Sequence, residues 1–154
     1  MDGEVTLVSA CLAGQPCRYD GRARPDEAVI ADVRAGRAVP ACAEQLGGMS
    51  TPRPPAEIVD GDGDDVLDGT ARVETIDGED VTAEFVAGAQ AVADIAAEHG
   101  ATHAVLQARS PSCGCGVVYD GTHSGELVVG DGVVAALLKR RGLTITSVRG
   151  QSQR

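Results

Sequence analysis

Three cysteines lie in separate parts of the chain, and each follows a short apolar run with the composition of a buried strand. The runs cover residues 5–10, 38–41 and 103–107, and the cysteines that follow them are Cys11, Cys42 and Cys113. If these strands are neighbours in one parallel sheet, the thiolates meet at its carboxyl edge, where open α/β sheets bind their ligands. Three soft sulfur ligands with no evident fourth indicate a metal centre that keeps one coordination position open for chemistry.

The type of metal centre depends on whether histidine shares the ligation. Zinc takes four protein ligands in structural sites or three plus water in catalytic sites, and histidine is a common ligand in both. None of His99, His103 and His123 stands at metal-motif spacing from a cysteine, so an all-thiolate iron–sulfur site fits better. The alternative is a non-catalytic binding module whose cysteines hold a structural zinc or sense redox state, and metal analysis distinguishes the two.

The other two cysteines, Cys17 and Cys115, leave the ligand count open. Cys115 could join Cys113 on one cluster, and Cys17 could supply a fourth ligand or form a reversible disulfide with Cys11. Both possibilities rank below the set of three, because only that set owes its convergence to the sheet topology.

Polar residues close to the cysteines are candidates for catalysis. Glu44 lies two residues past Cys42, where a partly desolvated carboxylate could act as a general base on water, or could simply begin a short helix at the surface. Ser110 and Ser112 flank Pro111 in a turn before Cys113. One of these hydroxyls could bind a ligand, and the simpler alternative is that both cap the turn.

Hydrophobic spacing elsewhere predicts helices that alternate with strands. Predicted helices cover residues 26–35, 82–99 and 131–141, the first with Asp26 as its amino cap, and a last strand covers residues 143–148. This alternation implies right-handed crossovers and a mostly parallel sheet of about four strands flanked by helices. The predicted fold class is therefore α/β, a single Rossmann-like domain that spans residues 1–154.

Residues 44–80 interrupt this alternation with glycines, prolines and acidic side chains. We predict a small β-hairpin excursion here, with strands over residues 57–59 and 71–76. The acidic run of residues 60–65 departs from a calcium-binding loop, because Asp65 stands where that loop needs glycine and Ala71 where it needs a bidentate glutamate. The run is predicted to be a solvated hairpin loop.

Composition limits the class of partner. The 154 residues carry 43% hydrophobic side chains, enough for one domain with a real core. A net charge of -10 argues against a broad nucleic-acid surface and favours a small neutral ligand. The sequence shows no signal-like or membrane-spanning apolar segment, so we expect a cytoplasmic protein, in which five cysteines favour metal binding or catalysis over disulfides.

In chain order, these segments resemble the thiouracil desulfidase family over nearly the whole chain. The matching blocks are VSACL at 8–12, CRYDG at 17–21, CAEQLGG at 42–48, TPR at 51–53, SPSCG at 110–114, YDGT at 119–122 and GV at 132–133. Two positions depart from the family pattern, since Ala43 stands where proline is usual and His123 where phenylalanine is expected.

The resemblance implies a four-iron, four-sulfur (4Fe–4S) cluster held by Cys11, Cys42 and Cys113, with one iron free to take the sulfur of a thiolated pyrimidine. It also implies that Glu44 activates a water and that Ser110 positions the substrate or shuttles a proton. The expected reaction is non-redox and converts 2-thiouracil or 4-thiouracil, as free base or nucleoside, to uracil with release of hydrogen sulfide. A variant of this hypothesis makes thiolated tRNA the substrate, guided by a basic strip of Arg18, Arg22 and Arg24.

Overall fold

The computed structural model describes residues 5–151 as an α/β fold with eight strands and five α-helices. The strands are β1 (Thr6–Ser9), β2 (Ala38–Ala41), β3 (Ala56–Val59), β4 (Arg72–Thr75), β5 (His103–Gln107), β6 (Val117–Tyr119), β7 (Leu127–Val129) and β8 (Thr144–Val148). The helices are α1 (Glu27–Arg34), α2 (Ala43–Leu46), α3 (Gly63–Asp68), α4 (Thr82–Glu98) and α5 (Val133–Arg140), and one turn of 3₁₀ helix covers Ala10–Ala13.

A four-stranded parallel sheet forms the centre of the fold, with the order β2-β1-β5-β8. Thr6 pairs with Ala38 and Leu7 with Ala104, so β1 runs between the strands that precede the second and third cysteines of the set. The predicted parallel sheet of about four strands is confirmed. The extent of one domain over residues 1–154 stays a prediction, and its first four and last three residues lie outside the described range.

Helices cover both faces of this sheet, and alternation of side chains along each strand supplies the two cores. Leu7 and Leu106 point to the face covered by α4 and α5, where the only phenylalanine, Phe85, is fully buried. Val8 packs on the opposite face against Val29 of α1. The three helices predicted from periodicity are present, with ends within two residues of those predicted. No helix within residues 5–151 is long and apolar enough to cross a membrane.

The acidic run is not simply a solvated loop, because its second half begins helix α3. The Asp62 side chain accepts a hydrogen bond from the Asp65 backbone N–H at 3.2 Å, and Asp65 Oδ2 accepts one from the Asp62 N–H at 3.0 Å. This is a capping box in which aspartate replaces the usual glutamate or glutamine, so the pattern is hard to see in the sequence. The flanking strands β3 and β4 do pair antiparallel, as predicted for the excursion.

A second antiparallel pair, β6 with β7, was not predicted. Each strand has three residues, too few for alternation to be visible, and Val129 is 91% exposed. The pair matters for the site because β6 ends at Tyr119.

Close backbone contact between α2 and α4 fixes the segment that follows Cys42. A Cβ on Gly88 would lie 2.0 Å from the Ala43 carbonyl oxygen, and one on Gly47 would lie 2.1 Å from the Glu84 carbonyl oxygen. Both distances are far below van der Waals contact, so only glycine permits this approach.

The Gly88→Ala substitution is expected to lower the free energy of unfolding by about 1–3 kcal/mol, because the added methyl group must push α2 away from α4. In an ordinary helix interior the same change stabilises by about 1 kcal/mol, so the sign of the effect is diagnostic. Urea denaturation followed by circular dichroism measures it. Ala87→Ser, at the exposed neighbouring position, is the control and should cost less than about 0.5 kcal/mol. A neutral or stabilising Gly88→Ala would contradict the close contact.

Candidate active site

A cavity of about 320 Å³ lies beyond the carboxyl ends of β1, β2 and β5. Its thiol-bearing and acidic lining residues are Cys11, Cys17, Cys42, Cys113, Glu44 and Glu57. Cys115 packs against the main hydrophobic core and is not among the described residues that line the cavity. The parallel sheet thus brings the three cysteines singled out in the sequence to one cavity, together with Cys17.

Cys11 is placed by the 3₁₀ turn that follows β1. The turn ends at Gly14, whose φ of 93° is left-handed and reverses the chain. The Cys11 carbonyl accepts a hydrogen bond from the Arg24 N–H at 3.0 Å, which ties the returning loop to the turn. The Cys11 side chain is consequently buried next to Cys17.

Cys42 is placed by the junction of β2 and α2, where it is the amino-cap residue of the helix. Its Sγ lies 3.7 Å from the Cys17 carbonyl oxygen. The first turn of α2 also carries Glu44, so the junction sets the thiol and the carboxylate together at the cavity wall.

Cys113 is placed by the contact between its loop and the start of α5. The Val133 N–H donates to the Pro111 carbonyl at 2.9 Å, and the Val134 N–H donates to the Ser112 carbonyl at 2.8 Å. Gly132 makes this possible, because a Cβ there would lie 2.5 Å from the Ser112 carbonyl oxygen. Unpaired N–H groups at a helix start commonly bind such carbonyls, and here they fix the loop that carries the third thiol.

Burial and mutual hydrogen bonding perturb these thiols. Burial raises the pKa of Cys11 to about 12, with the nearby Cys113 adding to the effect, and burial also raises the pKa of Cys113 to about 11. A hydrogen bond with Cys17 lowers the pKa of Cys42 to about 7 and raises the pKa of Cys17. Metals bind the thiolate form, so a positively charged centre that replaces the thiol protons suits this buried set.

The spacing of the side chains bears on the kind of centre. Within residues 5–151, no three His, Cys, Asp or Glu side chains are grouped to hold a single metal ion. In a cluster each thiolate binds a different iron, so its ligands stand farther apart than those of one ion. Cys11, Cys42 and Cys113 reach one cavity from three chain segments, and such an all-thiolate set has the chemistry of iron–sulfur ligands.

Arg53 is the polar centre beside the thiols, and sequence reasoning gave it no role. Its Nε and Nη2 each lie 2.9 Å from Glu44 Oε1, and its side chain is only 3% exposed. The remaining donors bind the Ser50 carbonyl at 3.0 Å, Thr51 Oγ1 at 2.9 Å and the Cys17 carbonyl at 2.9 Å. The planar guanidinium therefore fixes Glu44 and the Cys17 loop together.

A chain of hydroxyl groups continues from Glu44 to the loop before Cys113. Ser112 Oγ donates to Glu44 Oε2 at 3.0 Å, and Ser110 Oγ lies 3.2 Å from Ser112 Oγ. Ser110 Oγ also accepts a hydrogen bond from the Cys113 N–H at 2.7 Å. Ser110 therefore caps the turn, and Ser112, which the sequence did not distinguish from Ser110, is the serine that binds Glu44 directly.

Both tyrosines of the chain line the cavity as well. The chain has only three aromatic residues, and Phe85 is in the core, whereas Tyr19 and Tyr119 are at the cavity. Each lies in a block on which the family resemblance rests, and that is the signal by which they could have been found. Aromatic side chains at a cavity favour a planar ring as ligand, because aromatic rings pack well on one another.

A parallel sheet with such a cavity beyond its carboxyl edge is the architecture of α/β enzymes that bind small ligands at the strand ends. The chain belongs to the 2-thiouracil desulfurase family, whose family model matches residues 6–149. It is similar to the uncharacterized protein YbbK of Bacillus subtilis (strain 168), with 49% identity over 141 residues, which covers 92% of this chain and 93% of that protein. Among solved structures it is similar to the [4Fe-4S]-dependent thiouracil desulfidase TudS, with a TM-score of 0.82 and 41% identity, covering 94% of this chain and 90% of that chain. The resemblance drawn from the sequence blocks is confirmed.

Replacing Arg53 by Met is expected to lower the free energy of unfolding by about 3–5 kcal/mol, because it leaves Glu44 and the Cys17 carbonyl without their buried partner. Arg53→Lys keeps the positive charge but lacks the planar, forked donors of the guanidinium group. It should therefore lower the free energy of unfolding by less than Arg53→Met does. Guanidinium denaturation measures both variants, and Arg34→Met on the exposed side of α1 is the control, with a change within about 0.5 kcal/mol. Equal losses at Arg53 and Arg34 would show that the buried ion pair is not stabilising.

Proposed function

We propose that this protein is a [4Fe–4S]-dependent desulfidase that hydrolyses a thiolated uracil, as free base or nucleoside, to uracil and hydrogen sulfide. The observation that carries the proposal is the meeting of Cys11, Cys42 and Cys113 at one cavity beside Glu44. Family membership and the likeness to TudS support the same reaction class.

Cys11, Cys42 and Cys113 would hold the cluster, one thiolate to each of three irons. When bound, the cluster supplies a soft Lewis acid with an open position, suited to the sulfur of a thiocarbonyl. Cys17 lies against Cys42 but belongs to the loop that Arg53 binds through its carbonyl, so we assign it to the wall of the site and not to the ligand set.

Glu44 would act as the general base. One water adds its oxygen to the thiocarbonyl carbon and gives one proton to the Glu44 carboxylate. Its second proton passes to the sulfur as the C–S bond breaks, so a carbonyl group and hydrosulfide are formed. No atom changes its net oxidation state in the overall hydrolysis. General-base assistance of this kind contributes about 10²- to 10⁴-fold to a rate.

Ser112 and Ser110 would carry protons along the cavity wall. The Ser112 hydroxyl donates to Glu44 Oε2, and Ser110 follows at 3.2 Å, so a proton taken up at Glu44 has a path of hydroxyl groups toward the Cys113 loop. Arg53 binds Oε1, which orients the carboxylate so that Oε2 stays on the serine side.

The test is anaerobic purification followed by assays for iron, acid-labile sulfide and sulfide release from 2-thiouracil and 4-thiouracil. The protein should be brown and active, Cys42→Ser should lose iron, and Glu44→Gln should keep its iron while sulfide release falls by about 10²- to 10⁴-fold. Glu98→Gln, at the exposed end of α4, is the matched control and should be unchanged. Full activity in Glu44→Gln would refute the base assignment. One zinc with no acid-labile sulfide would favour the binding-module alternative instead.

A second cavity, of about 260 Å³, favours a substrate that carries negative charge beyond the base. It adjoins the first, because Arg18, Tyr19, Tyr119 and Arg149 line both. Arg22 and Arg24 complete its basic lining, and Asp20 is its acidic member. Burial lowers the pKa of Arg24, and the positive charges of Arg149 and Arg18 add to that effect.

The arginines of this cavity lie close together despite their mutual repulsion, in a chain whose net charge is -10. Such a group of cations is suited to binding a phosphate group. The predicted strip of Arg18, Arg22 and Arg24 is part of this cavity, so a thiolated nucleotide or a thiolated tRNA is the second candidate substrate. This candidate uses the same reaction as the first and differs only in what the base is attached to.

Arg149→Gln is expected to raise KM for 4-thiouridine 5′-monophosphate by about 10-fold, as loss of one charge-assisted hydrogen bond would. KM for 4-thiouridine itself should not change. Arg34→Gln, on α1 and outside both cavities, controls for net charge. Equal KM changes for the two substrates would argue against a phosphate site, and a tRNA affinity that falls steeply with salt would favour the RNA substrate.

A further inference from the structure

Glu57 is the second carboxylate among the described residues that line the main cavity, and the mechanism above does not use it. It lies on β3, on the wall formed by the hairpin excursion, and its side chain is 11% exposed. A carboxylate so little exposed is costly unless it has partners, so its contacts indicate its role.

The two oxygens of Glu57 have different surroundings. Oε1 accepts hydrogen bonds from the backbone N–H groups of Gly121 at 2.9 Å and His123 at 3.1 Å. The contact recorded for Oε2 within residues 5–151 is His123 Nδ1 at 3.7 Å, which is too long for a hydrogen bond. Oε1 is therefore committed to the loop after Tyr119, and Oε2 keeps its acceptor capacity.

The loop that Oε1 binds is itself rigid. Gly121 has a φ of 93°, and a Cβ there would lie 2.5 Å from the Ile58 carbonyl oxygen, so the loop lies directly on β3. The Asp120 side chain accepts hydrogen bonds from the Thr122 N–H at 2.9 Å and the Thr122 hydroxyl at 2.6 Å. Because both sides of the contact are fixed, Oε2 is held in place as well, and a fixed acceptor at a cavity wall can select among ligands.

We propose that Glu57 is a specificity-determining residue that accepts a hydrogen bond from the N3–H group of the thiolated uracil ring. This inference rests on the proposed function, since it assigns a task to the same cavity. Ring N3 lies between C2 and C4, so one acceptor serves a 2-thio and a 4-thio substrate alike. The residue would bind the substrate and not take part in breaking the C–S bond.

The same contact rejects cytosine-type rings. In 2-thiocytosine, N3 carries a lone pair and no hydrogen, so a carboxylate facing it leaves two acceptors opposed in a partly desolvated site. Sites built around a hydrogen bond to the substrate reject analogues that lack it far more strongly than apolar pockets reject small changes in size. The departure at His123 leaves this contact intact, because His123 binds Oε1 through its backbone N–H.

Glu57→Gln separates this role from loop anchoring. The glutamine carbonyl oxygen can accept the same two backbone hydrogen bonds, while its amide group presents a donor where Oε2 presented an acceptor. We expect kcat/KM for 2-thiouracil to fall about 10- to 100-fold, mainly through KM, as loss of a hydrogen bond to a charged group would. The preference for uracil over cytosine, measured as the ratio of their inhibition constants, should fall by at least about 10-fold.

Glu126→Gln is the matched control, because it removes the same charge from an exposed position of the β6–β7 loop that Glu57 binds, outside the cavity lining. It should leave kcat/KM for 2-thiouracil and the preference for uracil over cytosine unchanged. Calorimetric binding of uracil and cytosine to each holoenzyme gives a readout that does not require turnover. Thermal melting verifies that Glu57→Gln is folded.

Two failures are distinguishable. If the wild type releases sulfide but Glu57→Gln keeps the wild-type base preference, Glu57 only anchors the loop and the inference is overturned while the proposed function stands. If a wild type with its full complement of iron releases no sulfide, the proposed function fails. Comparison of uracil and cytosine affinities between the wild type and Glu57→Gln still decides whether Glu57 distinguishes the two bases.

Discussion

The parallel pairing of β1 between β2 and β5 is the constraint on which the rest of this structure depends. In that register Ser9 pairs with Ala41 and Val8 with Val105, so the three chains leave the sheet side by side at one edge. Cysteines that are far apart in the sequence then follow strands that are adjacent in space. A sheet order that separated these three strands would place the same thiols at different points along its edge.

Backbone contacts that need glycine convert this edge into a site of fixed shape. Gly88 lets α2 lie on α4, and Gly132 lets the start of α5 bind the loop before Cys113. The thiols themselves contribute little to rigidity, because sulfur makes weak hydrogen bonds and burial disfavours the charge that metal binding requires. Binding of the proposed cluster would therefore stabilise this arrangement of buried thiols, and Arg53 holds Glu44 in place through their ion pair.

The sequence was sufficient for the parts of the fold that have a strong local signal. Strands β2 and β5 have the predicted ends, and α4 follows from the spacing of Phe85, Val92 and other apolar residues. Helix α3 was missed because the two aspartates of its capping box are equally typical of a solvated loop. Strands β6 and β7 were missed because they are too short to show alternation. The contacts of Arg53 and Glu57 could not be predicted, because each binds partners from distant segments, such as the Cys17 carbonyl and the Gly121 N–H.

The charged side chains of the site are distributed unevenly over the two adjoining cavities. The four thiols and Glu44, which is paired with Arg53, line the first cavity alone, whereas Arg18 and Arg149 stand beside the two tyrosines where the second cavity adjoins it. A thiolated pyrimidine has a soft sulfur on its ring and, in nucleotides, a phosphate on the far side of the ribose, so its own polarity matches this gradient. The tyrosines line both cavities, so in the proposed complex the planar base would lie near them. In the proposed nucleotide complex, Arg18 and Arg149 would orient the substrate through its phosphate group, away from the wall that carries the thiols.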